Sequence, residues 1–175
     1  HGAGFSADIR ATETLNLNVD ARVMARENKD ASVLDGYRNR MTISASYIAS
    51  KTVQIQLSST VSTEETKTNI QNNRDYSFNA SINKSFEAPF NLMKTPLSAG
   101  LSFGGAFREY AGANPAIDSD TTRNDYTIRF SPSLTIPAGE TMAVLLSGGF
   151  TRVDSNIPNS EYDNLSVTLG ISKQF

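Results

Sequence analysis

Arginine is the residue here whose placement could do chemistry. Arg22 and Arg26, Arg38 and Arg40, Arg108 and Arg129 recur within segments that alternate polar and apolar residues, with Asp20 and Asp125 among them. Guanidinium groups gathered on one surface attract anions and repel cations, and neighbouring carboxylates make their enclosure tolerable. Other chemistries are poorly supplied. There is no cysteine and the single histidine is His1, which removes thiol mechanisms, cysteine-ligated metals, Ser-His-Asp triads and histidine metal clusters. The stretch "GLSFGGAF" holds Gly100, Gly104 and Gly105 without the Gly-Lys-Ser/Thr ending of a phosphate loop. Glu64 with Glu65, and Asp118 with Asp120, read as solvated loop acids. No catalytic residue, cofactor or metal is expected, and the chain does not read as an enzyme.

The elements that must position those arginines follow from composition and periodicity. A length of 175 residues suits one domain or one closed barrel. A net charge of −2 without any run of Lys or Arg argues against a nucleic-acid partner. No stretch of about 18 apolar residues exists, so a transmembrane helix is excluded, but alternating transmembrane strands escape that test.

Two-residue alternation recurs along the chain, and no helical period competes with it. Leu15, Leu17, Val19, Ala21 and Val23 oppose Asn16, Asn18, Asp20 and Arg22. Tyr37, Met41, Ile43, Ala45 and Tyr47 oppose Arg38, Arg40, Thr42, Ser44 and Ser46. The pattern continues through Val53–Val61, Tyr76–Phe86, Leu101–Phe107, Tyr126–Ile136, Met142–Val153 and the final Leu165–Ile171, which makes eight strands. Leu145 intrudes on a polar face, and Pro132 predicts a bulge or kink within its strand. The connections near 27–36, 64–75, 109–124 and 153–162 are long and polar, whereas those near 51 and 137–141 are short turns. Residues 87–96 form a longer, more apolar link. Residues 1–13 keep the apolar parity (Phe5, Ala7, Ile9, Ala11) and form either a periplasmic lead-in or an extra strand ahead of a barrel over 14–175.

The polar faces of the third, fourth and eighth strands show almost only Ser, Thr, Asn, Gln and Gly, not the Lys and Glu of a soluble sheet. All six lysines (Lys29, Lys51, Lys67, Lys84, Lys94 and Lys173) lie in connections or near strand ends. Such a distribution suits a polar interior with the apolar face turned to hydrocarbon. Aromatic residues of the apolar face then fall into two belts: Tyr37, Tyr76, Phe107, Tyr126 and Phe150 at the loop end, and Tyr47, Phe86 and Phe175 at the turn end.

The last strand sharpens this reading. It ends on Phe175, with Ile171, Leu169 and Val167 at alternate positions before it. This resembles the C-terminal signature of bacterial outer-membrane β-barrel proteins, which that family's assembly machinery recognises. Lys173 departs from the apolar residue usual two positions before the end. The resemblance implies an all-β, antiparallel up-and-down transmembrane barrel of about eight strands in the bacterial outer membrane, with lipids, lipopolysaccharide and the barrel-assembly machinery as partners. The polar parity directs Arg22, Arg26, Arg38, Arg40, Arg108 and Arg129, with Asp20 and Asp125, into the outer half of the lumen as a gate. Ion pairing alone is one reading of that cluster, and a narrow anion-preferring pore is the other. A divalent cation bridging the loop acids to lipopolysaccharide, and Arg152 meeting lipid phosphates, are secondary expectations. Four functions compete: a small structural or binding barrel or narrow pore, the C-terminal part of a larger export or uptake channel, a membrane-embedded lipid-modifying enzyme, and a soluble lipid carrier. The lack of an internal histidine disfavours the third, and the scarcity of Lys and Glu on the polar face the fourth.

Overall fold

The structure, a computed structural model, describes residues 1–27, 35–87, 96–139 and 141–173. Nine strands follow one another: β1 (Gly2–Arg10), β2 (Leu15–Arg26), β3 (Gly36–Ser50), β4 (Val53–Thr66), β5 (Asn73–Phe86), β6 (Leu97–Tyr110), β7 (Asn124–Pro137), β8 (Met142–Ser155) and β9 (Tyr162–Lys173). Each pairs antiparallel with the next in a single up-and-down sheet, and the described residues contain no α-helix. The strands form where the period-2 segments lie, because a pleated backbone sends successive side chains to opposite faces.

Two differences from the sequence-based picture stand out. Residues 2–10 form a full strand, paired with β2 from Gly2↔Met24 to Arg10↔Asn16, which is the extra strand left open for residues 1–13 and brings the about eight expected strands to nine. The strands also run further into the loops than the apolar residues indicate. β4 reaches Thr66 and β5 begins at Asn73, which puts Glu64, Glu65 and Asp75 inside the ladder and not in a solvated loop.

The sheet is not closed. β1 pairs only with β2 and β9 only with β8, so the order ends in two open edges. With an odd number of antiparallel strands, β1 and β9 run in the same direction, from the loop end to the turn end.

Pro132 produces no register shift. Pairing between β7 and β8 lapses at Ser131 and Pro132, yet Phe130↔Phe150 and Ser133↔Ser147 keep the same register on either side. The ring is accommodated because Gly148 lies beside it: a Cβ there would sit 3.2 Å from Pro132 Cγ. The register irregularity that does occur lies at Ile48/Ser50, next to the tight turn at Lys51 and Thr52.

Burial is inverted relative to a water-soluble sheet. The only buried hydrophobic residues among those described are Val153 and Ile157, both at the loop end. Among the described residues nothing packs over the apolar face: Phe103 is 49 % exposed, Ile43 50 % and Leu169 72 %. On the opposite face Ser62 and Asp125 are buried, each 6 % exposed. That polar face is concave. A depression of about 320 Å³ is lined from five consecutive strands, by Asp8, Asn18, Ser44, Ser58 and Asn79 among others.

Candidate functional site

The polar face is ordered by register. Parity fixes the face on which a side chain lies, and pairing fixes its height. One row near the loop end runs Gly4↔Arg22↔Arg40↔Ser62↔Asp75↔Arg108↔Asp125↔Ser155 across β1 to β8. The next row outward runs Met24↔Arg38↔Glu64↔Asn73↔Tyr110. Five of the six predicted gate arginines, with both predicted aspartates, therefore gather at one end of one face. Arg129 does not join them: it pairs with Gly104 and Thr151, two rows further toward the turn end, and makes no ion pair among the described residues.

The two halves of this charged belt differ. Over β5 to β7 the charges balance. Arg108 places Nη2 2.8 Å and Nε 3.0 Å from Asp75 Oδ2. Arg123, from the loop before β7, grips Asp125 with two parallel bonds, Nη2 to Oδ2 at 2.7 Å and Nε to Oδ1 at 2.8 Å. Its guanidinium also lies 5.1 Å from the Tyr110 ring centroid. The Asp125 bond is the first cause that holds the Arg123 guanidinium above its ordinary pKa.

Over β2 to β4 the polar face carries Arg22, Arg26, Arg38 and Arg40 against Asp20 and Glu64 alone. Arg22 Nε lies 2.9 Å from Asp20 Oδ1. Glu64 is shared: Arg26 Nη1 is 3.2 Å from Oε1, and Arg38 Nε is 3.9 Å from Oε2, too long for a hydrogen bond. The Arg38 Nε atom is buried without a hydrogen-bond partner. Arg40 faces Arg22 directly across the ladder and makes no ion pair among the described residues. Gly4 leaves space for the Arg22 stem, since a Cβ there would stand 3.1 Å from Arg22 Cγ.

Glu64, Asp75, Ser62 and Arg123 belong to this belt and are absent from the sequence-based set. Glu64 and Asp75 do continue the polar parity of β4 and β5, which is the signal that would have found them.

The aromatic residues of the opposite face form two sloping rows. Tyr76, Phe107 and Tyr126 are cross-strand neighbours, with the Phe107 and Tyr126 ring centroids 4.8 Å apart. Tyr37 lies four residues nearer the loop end than Met41, which aligns with Val61 and Tyr76. Phe150 lies four residues nearer the turn end than Asp154, which aligns with Tyr126. The row thus steps down by four residues between β3 and β5, runs level across β5 to β7, and steps down by four again at β8. At the turn end Tyr47 aligns with Ile55 and Ile82, and Phe86 lies four residues beyond Ile82, so the lower row descends by the same step between β3 and β5. The rows are separated by ten residues in both strands, Tyr37 to Tyr47 and Tyr76 to Phe86.

Beyond the upper row this face turns charged: Arg152 pairs with Asp154 at 2.9 Å and approaches Asp163 at 4.0 Å. Lys84 lies two residues inside the lower row on β5, with Nζ 4.9 Å from the Phe86 ring centroid. Val167, Leu169 and Ile171 lie on this face of β9 and are exposed; Phe175, Lys29 and Lys94 fall outside the described residues. Among the described residues no group of carboxylates and histidines is placed to hold a metal ion, and Glu64 is engaged by arginines.

Comparison of the chain with protein-family models, curated proteins and solved structures finds no match.

Proposed function

We propose that this sheet is the wall of an outer-membrane β-barrel whose apolar face meets hydrocarbon and whose polar face lines water, serving as a structural or binding barrel or as a narrow pore with an arginine-rich lumen. The observation that carries this reading is the uncovered apolar face bounded by two parallel aromatic rows. Ten residues at ~3.4 Å each, along strands tilted by about 45°, rise ~24 Å, which matches the ~25 Å apolar band of transmembrane barrels. From Tyr37 on β3 to Phe150 on β8 the upper row descends eight residues over five strand spacings of ~4.8 Å, a mean slope of roughly 50° to the strand pairing direction, close to the tilt such barrels need. In water the same face would be a broad aggregation surface.

The open edges favour the second form of this reading, in which the sheet is part of a larger barrel. An unpaired strand edge is not tolerated in hydrocarbon, where each unsatisfied backbone group costs several kcal/mol. β1 and β9 run in the same direction, so a fully antiparallel ring needs an odd number of further strands between them. Neither edge strand carries a proline or an internal lysine of the kind that blunts soluble edges. Lipids, lipopolysaccharide and the barrel-assembly machinery, the last reading Val167, Leu169, Ile171 and Phe175, are the partners proposed.

Extraction and gel migration test this reading. The protein is expected to require detergent and to migrate differently before and after boiling. Recovery in detergent-free buffer with unchanged migration would contradict it.

A further inference from the structure

We infer that the loop end of the polar face over β2 to β4 seats a tetrahedral oxyanion of the phosphate or sulfate class, with Arg22 and Arg40 as its principal ligands and Arg38 beside them. The inference rests on the reading of the polar face as a water-filled lumen and adds to it a defined binding site.

Charge arithmetic is the first support. Four arginines stand against Asp20 and Glu64, which leaves two positive charges uncompensated on three adjoining strands. A dianion restores neutrality. In the neighbouring half the same row is balanced by Asp75 and Asp125, so the excess belongs to one place and not to the belt as a whole.

Geometry is the second. Arg22 and Arg40 are directly opposed across an antiparallel ladder, which places their Cβ atoms ~5 Å apart and is unfavourable for like charges on their own. Two planar guanidinium groups carried on one row of adjacent strands, Arg22 with its Nε on Asp20 and Arg40 without an ion pair among the described residues, suit a tetrahedral anion with several acceptor oxygens better than a spherical halide. Ser62 is the cross-strand neighbour of Arg40 on β4 and sets a hydroxyl on the same row. Gly4 keeps the β1 side of the row clear for the Arg22 stem.

Accessibility is the third. The Arg22 side chain is 62 % exposed, against 43 % for Arg108 and 33 % for Arg123 in the balanced half. Arg22 is the ion-paired arginine of the belt most open to a solute. Because the seat lies on the face opposite the aromatic rows, a free solute and not a lipid headgroup is its occupant.

The test is equilibrium binding of inorganic phosphate to the full chain in detergent micelles, at fixed ionic strength set with chloride. Saturable binding is expected, weakened about tenfold or more by Arg40→Gln and by Arg22→Gln, the loss of one charge-assisted bond. Arg74→Gln, on the apolar face and without an ion pair among the described residues, is expected to leave binding unchanged. Absence of saturable binding, or equal weakening by Arg74→Gln, would overturn the inference. Heat-modifiable migration of each variant reports the fold separately. A protein that migrates as a barrel yet binds no phosphate loses the seat and keeps the membrane reading; one that stays in buffer loses the membrane reading.

Discussion

The two halves of the charged belt lie on the same face, near the same end and partly on the same register row, yet they are built for different tasks. Over β5 to β7 each arginine faces a carboxylate, the pairs are short, and Asp125 is almost wholly enclosed. Over β2 to β4 arginines outnumber carboxylates two to one, Arg22 faces Arg40, and the Arg22 and Arg26 side chains are more than half exposed. Enclosed charges must be matched, whereas exposed ones can remain unmatched because water or a ligand solvates them. The first half therefore holds strands together, and the second is free to bind.

Substitutions should break this contrast in a graded way. The largest effect is expected from Asp125→Asn, which leaves Arg123 facing an enclosed neutral partner and should cost about 2–3 kcal/mol in denaturant unfolding. The corresponding change in the open half, Asp20→Asn, should cost under about 0.5 kcal/mol, since Arg22 is well exposed. Equal losses would abolish the distinction. Arginine removal should be more modest: Arg108→Gln is expected to lose about 1–2 kcal/mol, while Arg40→Gln should be neutral or gain a few tenths as a like-charge pair disappears.

The smallest effect concerns the loop that supplies Arg123. Asp118 Oδ1 accepts the backbone N–H of Asp120 at 2.8 Å and of Thr121 at 3.2 Å, and the Asp120 bond is the first cause that lowers its pKa below the ordinary carboxylate value. A carboxylate lowered in the folded state adds stability that is present above its unfolded pKa of about 4 and is lost as pH falls through the folded value. An NMR titration of the Asp118 carboxyl should place its midpoint below the ordinary carboxylate value of about 4. A midpoint at or above it would show that this turn does not persist in solution.

What was legible in the sequence follows from what alternation encodes. Period-2 patterning assigned Arg22, Arg40, Arg108 and Asp125 to one face, and Tyr37, Tyr76 and Phe86 to the other, because side-chain direction depends only on parity. It did not assign height, which is set by register, so Arg129 looked like its fellows until pairing placed it two rows away. Glu64 and Asp75 were read as loop residues because apolar side chains mark only the band that must be covered. The ladder itself continues beyond that band, where both faces are polar: Glu64 beside Glu65, Arg74 beside Asp75. Pro132 suggested a kink, but the compensating residue, Gly148, is its neighbour on the adjacent strand and not in sequence. The open edges at β1 and β9 were not legible, since patterning describes the faces of a strand and not what lies alongside it.

The central claim is that the apolar face meets lipid and the polar face meets water. The chain contains no cysteine, so single cysteines can be placed at the adjoining positions Ser81→Cys and Ile82→Cys in the middle of β5 and challenged in lipid bilayers with a small charged thiol reagent. Rapid modification at 81 and protection at 82 is the predicted result. Equal modification at both positions, or protection at 81 with modification at 82, would contradict it.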